Sequence, residues 1–352
     1  AVSAVASLGL LAYCKYADFF IGNFNAVTGL SIPLLKVALP VGISFYTFQI
    51  LSYVIDVYRG DVPAQRNFVD LAMYVSMFPQ LIAGPIVRYS DIAGSLKNRK
   101  TTLADAAEGI TRFSVGFAKK ILLANSAALL VSEFKAYGEK TVLFYWLYAA
   151  AYMLHIYFDF SGYSDMAIGL GRIFGFRFSE NFNYPYVSAS ITEFWRRWHI
   201  SLSSWVRDYL FLPLSSFTRR WGQWGVAASL MVTFIALGVW HGAGWTFAVY
   251  GFIQGLVIVW ELRTERIRNK VRKHIGRRLF ATLSVIRTYL IFAVSLVFFK
   301  AQSVSDAFYF LRNISFQTHA SWKEINIGMS DHICIVAGAA LLLMLLYDYL
   351  MS

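Results

Sequence analysis

The sequence predicts an all-α, polytopic membrane protein. Three observations carry that prediction: an apolar composition, a series of hydrophobic stretches near bilayer length, and one strongly basic loop between two of them. The 352-residue chain is 57% hydrophobic and only 15% charged, with a mean hydropathy of +0.52. Counting glycine as apolar and leaving tyrosine out gives about 58%, against ~45–50% in soluble domains. A single transmembrane domain over residues 1–352 is the expected organisation, since no fixed-period repeat and no low-complexity segment divides the chain.

A bilayer core about 30 Å thick takes roughly 20 apolar residues as helix, and every backbone group inside it needs a partner within the segment. The expected spans are 3–22, 34–57, 67–87, 109–132, 141–158, 160–176, 224–240, 244–260, 280–299 and 332–351. Several are interrupted, by Pro40, by Pro79 and Pro85, by Lys119 and Lys120, or by Asp159 and Asp165. Interrupted helices persist at membrane depth where protein covers them or where they line a cavity. The chain is therefore expected to enclose a polar interior.

Between Glu261 and Arg278, ELRTERIRNKVRKHIGRR holds eight Lys or Arg against two Glu. Short basic loops stay cytoplasmic, so 244–260 and 280–299 should meet on the inside, with KNRK at 97–100 a weaker inside marker. Loops facing anionic lipid account for the net charge of +12 without a nucleic-acid partner. Cys14 and Cys334 fit buried apolar thiols, with neither a disulfide framework nor a zinc site. GLGRIFG, Gly169 to Gly175, lacks a preceding strand and the dinucleotide spacing, and reads as close helix packing through Gly171 and Gly175.

FWRRWHISLSSW, Phe194 to Trp205, places charge among tryptophans. As one helix at 100° per residue, it turns Trp195, Trp198, His199, Leu202, Trp205, Val206 and Tyr209 to one face. Arg197, Ser201, Ser204 and Asp208 go to the other. Such a segment suits the interface, where Trp anchors and Arg snorkels. His199 then points inward, where it reads either as a buried neutral histidine or as a functional one.

In ALGVWHGAGWTF, Ala236 to Phe247, His241 stands where two apolar runs meet, among Gly238, Gly242, Gly244, Trp240 and Trp245. Ionisable residues at such depth mark a functional site by default, and flanking glycines admit a backbone or a slim ligand to the ring. Neither histidine has metal-ligand spacing, so no metal site is expected. No GxSxG or HExxH occurs. Two inward histidines without these motifs suggest general-base chemistry inside the membrane.

FWRRWHISLSSWVRDYLFLPL, VWHGAGWTF, YFDFSGYSDMAIGLGRIFGF, FPQLIAGPIVRYSDI and LPVGISFYTFQILSYVIDVYRG together resemble the membrane-bound O-acyltransferases, in their bacterial alginate O-acetyltransferase branch. The resemblance runs from about Leu8 to Phe298. It implies a helical enclosure with re-entrant and interfacial helices around a tunnel, with His241 as the essential catalytic residue and His199 as the second characteristic histidine. It implies an acyl donor on the cytoplasmic side, commonly a coenzyme A thioester such as acetyl coenzyme A, used as a co-substrate with no bound cofactor. The acceptor is a hydroxyl on the far side, and a periplasmic acetyl-accepting protein or polysaccharide machinery completes the transfer. The bacterial inner membrane is the implied location. Two departures stand out: PLSSFTRR, Pro213 to Arg220, replaces a Pro-Leu-Gly-Gly-Asn run, and Gly244 stands where an Asn is common. The family also carries helices ahead of the point where this sequence begins.

On this reading His241 is the general base. His199 orients the donor or stabilises charge at the thioester, and Trp240 lines the tunnel beside His241. Arg196, Arg197, Lys119 and Lys120 are candidates for the donor's phosphates, or for lipid headgroups. Asp159 and Asp165 need partners inside and are expected in structural pairs, while Ser161, Gly162 and Ser164 would let their helix bend beside the tunnel. Transfer of another acyl group, such as D-alanine onto teichoic acid or acyl transfer to peptidoglycan, is the alternative within the class. A proton-coupled transporter relaying through His241 and the aspartates is the alternative outside it, although no paired repeat of broken helices is visible.

Overall fold

A computed structural model describes residues 2–136 and 142–316. Among them every regular element is helical, and five helices are long and apolar enough to cross a membrane. The first is α1, Val2–Thr28, which shows most of its surface outward. The expected span 34–57 shortens to α2, Ile43–Arg59, because residues 34–40 form no helix, with Lys36 at φ 50, and the helix starts only after Pro40 at Gly42, which holds φ 75. The expected span 67–87 is broken into α3, Phe68–Ser76, and the single turn α4, Phe78–Leu81. Pro79 sits in the first turn of α4, where its missing N–H costs nothing.

After α5, Tyr89–Asn98, the chain enters α6, Leu103–Ala118. A π-helical segment, Lys119–Ala124, carries it directly into α7, Asn125–Ala136, so the lysine pair does not end the helix. The expected spans 141–158 and 160–176 are one helix, α8, Val142–Ile173. No break in the helix falls at Ser161 to Ser164. The reason lies in pairing: Lys120 binds Asp159, Lys119 binds Asp165 at 2.7 Å, and Arg112 binds Asp165 at 2.6 Å. Charges that would break an isolated span are neutralised across the helix pair.

That pair is antiparallel, and glycine makes it close. Cβ atoms at Gly109 and Gly116 would fall against the carbonyls of Gly169 and Gly162. Small residues at a crossing let backbones approach in this way. The expected packing role of Gly171 and Gly175 is corrected: Gly171 lies against the Phe178 ring, and Gly175, at φ 80, ends α8.

The stretch expected as one helix over 194–209 is three elements. The first is α9, Ile191–Arg197 and the second is α10, Ile200–Val206, followed by a π-helical turn, Arg207–Phe211. They part at His199, whose φ of 45 is incompatible with a right-handed helix. The short α11, Leu212–Phe217, leads to the hairpin of α12, Gln223–His241, and α13, Trp245–Arg263. The basic loop forms α14, Glu265–Ile275, and the chain continues as α15, Arg277–Lys300, and α16, Val304–Phe316. The expected span 332–351, with Cys334, lies outside the described residues.

Arg263 donates to Gln223 Oε1 at 3.0 Å, so α12 starts and α13 ends beside the basic helix α14. His241 and Trp245 stand at the other end of the hairpin. Nineteen residues of α13 at about 1.5 Å each put roughly 28 Å between the two ends.

Candidate active site

The segment carrying His199 is anchored from the basic end. The carboxylate of Glu261, in the last turn of α13, accepts from Ile191 N at 2.9 Å and Thr192 N at 3.0 Å. A carboxylate at an N-terminus supplies the orphan N–H groups and complements the helix dipole. Arg287 of α15 pairs with the same carboxylate at 3.3 Å, which compensates a nearly fully buried charge. Halfway along α13, Gln254 accepts from Trp195 Nε1 at 3.0 Å and donates to Ser295 at 2.7 Å. Phe194, Trp198 and Phe292 pack around this line, with 4.2 Å between the centroids of Phe194 and Phe292.

His199 itself is buried, at 2% exposure. Its Nδ1 lies 3.1 Å from Asn181 Oδ1. That oxygen also accepts from Ser201 Oγ at 2.8 Å and Ser201 N at 3.3 Å, while Asn181 Nδ2 donates to Ser164 at 3.0 Å. The amide orientation is thereby set, and an oxygen facing Nδ1 assigns the proton to Nδ1. Nε2 then carries the lone pair, and it is buried with no partner among the described residues. Phe160 meets the ring edge-on at 4.6 Å. Buried polar atoms are normally paired, so an unpaired base in a rigid frame is a functional marker. The left-handed backbone points the same way: a non-glycine residue there costs on the order of 1–3 kcal/mol, and such strain clusters at active sites.

His241 is framed differently. The last residue of α12, it is partly exposed and hydrogen-bonds to no described residue. Aromatic rings surround it: Trp240 at 4.9 Å, Phe299 at 5.3 Å and Tyr250 at 6.4 Å. Trp240 stacks on Phe48 at 5.1 Å, Phe48 stacks on Trp205 at 4.1 Å, and Trp240 Nε1 is another buried atom without a partner among the described residues. The glycines at 238, 242 and 244 fit this crowding at two positions, since a Cβ at Gly238 would strike the backbone of α13 and one at Gly242 the ring of Phe247. Through Trp240, Phe48 and Trp205 an aromatic stack joins the end of α12 to α10, the helix that starts after His199, although His199 and His241 are 42 positions apart in sequence.

The other expected site residues fall into two groups. Ser161 sits one residue from Phe160 and its hydroxyl is buried without a partner among the described residues. Arg196 lines a cavity of about 640 Å³ at the basic end, together with Thr192, Glu261, Glu265, Arg268 and Arg272. By contrast Lys119, Lys120 and Asp165 are held in the ion pairs between α6, the π-segment and α8, and Arg197 pairs with Glu193 at 3.0 Å. No group of three potential metal ligands occurs among the described residues.

Three contributors escaped sequence reading. Asn181 is an ordinary polar residue in a loop and carried no signal. Ser201 was placed on the polar face but is buried with Asn181. Lys15 did carry a signal, as a charged residue inside an apolar span. It reaches the carbonyl of Trp240, beside which Tyr16 donates to Val239 O at 2.9 Å.

The structure is that of a multi-pass helical membrane protein with one histidine buried at a helix break and another ringed by aromatic side chains at a hairpin turn. Residues 62–302 match the model of the MBOAT, membrane-bound O-acyltransferase, family. The chain belongs to that family. It is 47% identical over 297 residues to a "Probable alginate O-acetylase" of Azotobacter vinelandii, covering 83% of this chain and 59% of the relative. It is 34% identical over 346 residues to a peptidoglycan O-acetyltransferase of Helicobacter pylori, covering 88% and 63%. To a teichoic acid D-alanyltransferase of Bacillus subtilis it is 28% identical over 259 residues, covering 71% and 65%. The chain thus spans about six-tenths of the length of the first of these. None of these three relatives is a transporter by name.

Proposed function

We propose that the protein is a bacterial inner-membrane O-acyltransferase. In its specific form it is an O-acetyltransferase that moves acetyl from a cytoplasmic thioester, acetyl coenzyme A, to a hydroxyl acceptor during modification of an exported polysaccharide such as alginate. The observation that carries this reading is the framed imidazole of His199, with a proton fixed on Nδ1 and a bare, buried Nε2, on a segment that the Trp205–Phe48–Trp240 stack joins to the end of α12 where His241 stands. An alcohol attacks a thioester slowly at neutral pH unless a base takes its proton as the bond forms. His241, at the end of the α12–α13 hairpin away from the basic helix, is that base. His199 accepts a hydrogen bond from the bound substrate and orients it.

The basic α14 marks the cytoplasmic side. The cavity holding Arg196, Arg268 and Arg272 opens there, and its guanidinium groups suit the donor's phosphates. The acceptor, directly or through a periplasmic acetyl-accepting protein, meets His241 from the far side.

Membranes bearing the protein, given radiolabelled acetyl coenzyme A and deacetylated alginate, should transfer label to the polysaccharide. Label supplied only as a D-alanyl thioester and appearing on teichoic acid would assign the related activity of the Bacillus subtilis relative instead. A cysteine placed at Lys270 should react with a membrane-impermeant thiol reagent only after cells are opened, and labelling in intact spheroplasts would reverse the proposed direction.

A further inference from the structure

Lys15 lies midway along α1, a 27-residue helix that is otherwise apolar enough to span the membrane. A charge in such a helix is costly and calls for a partner or a task. No carboxylate among the described residues pairs with it. Asp18, the acidic residue one turn on, is committed to the N–H groups of Leu35 and Lys36, at 2.7 and 3.0 Å. The Lys15 ammonium instead turns inward. It donates to the carbonyl of Trp240 and to Ser44 Oγ at 3.3 Å, and lies 5.5 Å from the centroid of the Trp240 ring. The Trp240 ring in turn lies 4.9 Å from that of His241.

An ammonium has three donors, and described residues take two of them. Closing off the carbonyls at the end of α12 does not require the charge, because the neutral hydroxyl of Tyr16 does the same for Val239. A half-buried cation beside the reactive imidazole, with no carboxylate partner among the described residues, fits an anion that exists only during turnover.

We infer that Lys15 is a catalytic residue whose free N–H stabilises the oxyanion formed when an acyl thioester is attacked beside His241. This rests on the acyl-transfer reading above. In the step, the hydroxyl oxygen bonds to the thioester carbonyl carbon, the carbonyl electron pair moves onto its oxygen, and the hydroxyl proton goes to the His241 imidazole. On collapse the C=O bond re-forms, the C–S bond breaks, and the leaving thiolate takes the proton back from the imidazolium. Negative charge thus appears on the carbonyl oxygen only between reactant and product. A fixed donor aimed at it in a site of low dielectric is worth about 10²–10³ in rate.

The test compares detergent-solubilised wild type, Lys15→Met, and Lys15→Cys before and after 2-bromoethylamine, in the acetyl coenzyme A assay. Lys15→Cys is made in a background in which every other cysteine of the protein, Cys14 and Cys334 among them, is replaced by Ser, so that alkylation is confined to the introduced thiol. The product is a lysine-length ammonium with sulfur in place of one methylene. Lys15→Met should lose about 10²–10³ in kcat with little change in KM for acetyl coenzyme A. The Lys15→Cys variant should be equally slow and regain at least about a tenth of wild-type turnover on complete alkylation, followed by mass. If Lys15→Met accumulates poorly, the alkylation arm decides alone, since it compares one preparation with itself. Turnover of Lys15→Met within about threefold of wild type, or a lost activity that alkylation does not restore, would leave Lys15 a structural cap. A wild type that transfers no acetyl while transferring another acyl group moves the test to that donor, and one that transfers none overturns the acyl-transfer reading itself.

Discussion

The two histidines occupy opposite kinds of surroundings. His199 is buried on a strained backbone, with Nδ1 held by an asparagine that three other groups hold in turn. His241 has rings and glycines around it and no hydrogen bond from a described residue to fix its orientation. The contrast separates two jobs. A frame that sets tautomer and direction in advance suits a residue that receives a substrate hydrogen bond. A ring held only by aromatic contact can follow a proton that it first takes and then returns.

The largest expected effect lies on the loose side. His241→Ala should lower acyl transfer by on the order of 10²–10⁴ while the protein still inserts and accumulates, because it removes the base and leaves the aromatic packing largely in place. His199→Gln should cost less. A glutamine amide can donate to Asn181 and turn its oxygen to where Nε2 stood, so positioning survives. Both are measured on membranes with matched protein levels. Normal transfer by His241→Ala removes the central assignment, and equal, complete loss from both changes would give His199 a share in the proton chemistry.

Next in size is the frame itself. Asn181→Ala leaves His199 Nδ1 and Ser201 without their acceptor, each at a cost of about 1–3 kcal/mol if uncompensated, so a drop of about 10- to 100-fold in turnover is expected. Asn181→Asp keeps the acceptor oxygen and should recover much of it. A ¹⁵N spectrum of labelled histidine reads the same point directly: the wild-type His199 should show a protonated Nδ1 and a bare Nε2, and the alanine variant a mixture. An unchanged spectrum with unchanged turnover would mean that the asparagine does not set the tautomer.

How much of this was legible follows from where each feature gets its stabilisation. The hairpin α12–α13 and helix α15 match the expected spans at 224–240, 244–260 and 280–299 to within a few residues, because each is a continuous apolar run long enough to cross a membrane. The inward set around His199 was also legible: Trp195, Trp198, His199, Leu202, Trp205 and Val206 are all buried. The helix that was to carry them was not. Its break at His199 depends on Asn181, whose backbone oxygen accepts from Ile200 N at 2.9 Å and whose side chain reaches Ser201 N, and such a long-range cap leaves no local trace. Helix α8 misled for the converse reason. Asp159 and Asp165 look like interruptions until Lys119, Lys120 and Arg112 arrive from a helix about 40 to 53 positions earlier.

The smallest expected effect returns to the loose side. Trp245 begins α13 close after His241, and its indole N–H donates to Asn23 Oδ1 at 2.8 Å; among the described residues this polar tie joins α1 to the turn without using a carbonyl of α12. Trp245 is 61% exposed, so water or headgroups can replace the lost partner, and an exchangeable hydrogen bond of this kind is worth about 0.5–1.5 kcal/mol. Asn23→Ala should therefore change turnover by less than about tenfold, and the melting temperature slightly, where the buried Asn181→Ala costs more of both. The ordering is what matters. If His241 needed a rigid polar frame as His199 does, loosening its turn at Asn23 would be as damaging as removing Asn181. Equal losses from the two asparagine variants would erase the distinction between a fixed histidine and a free one.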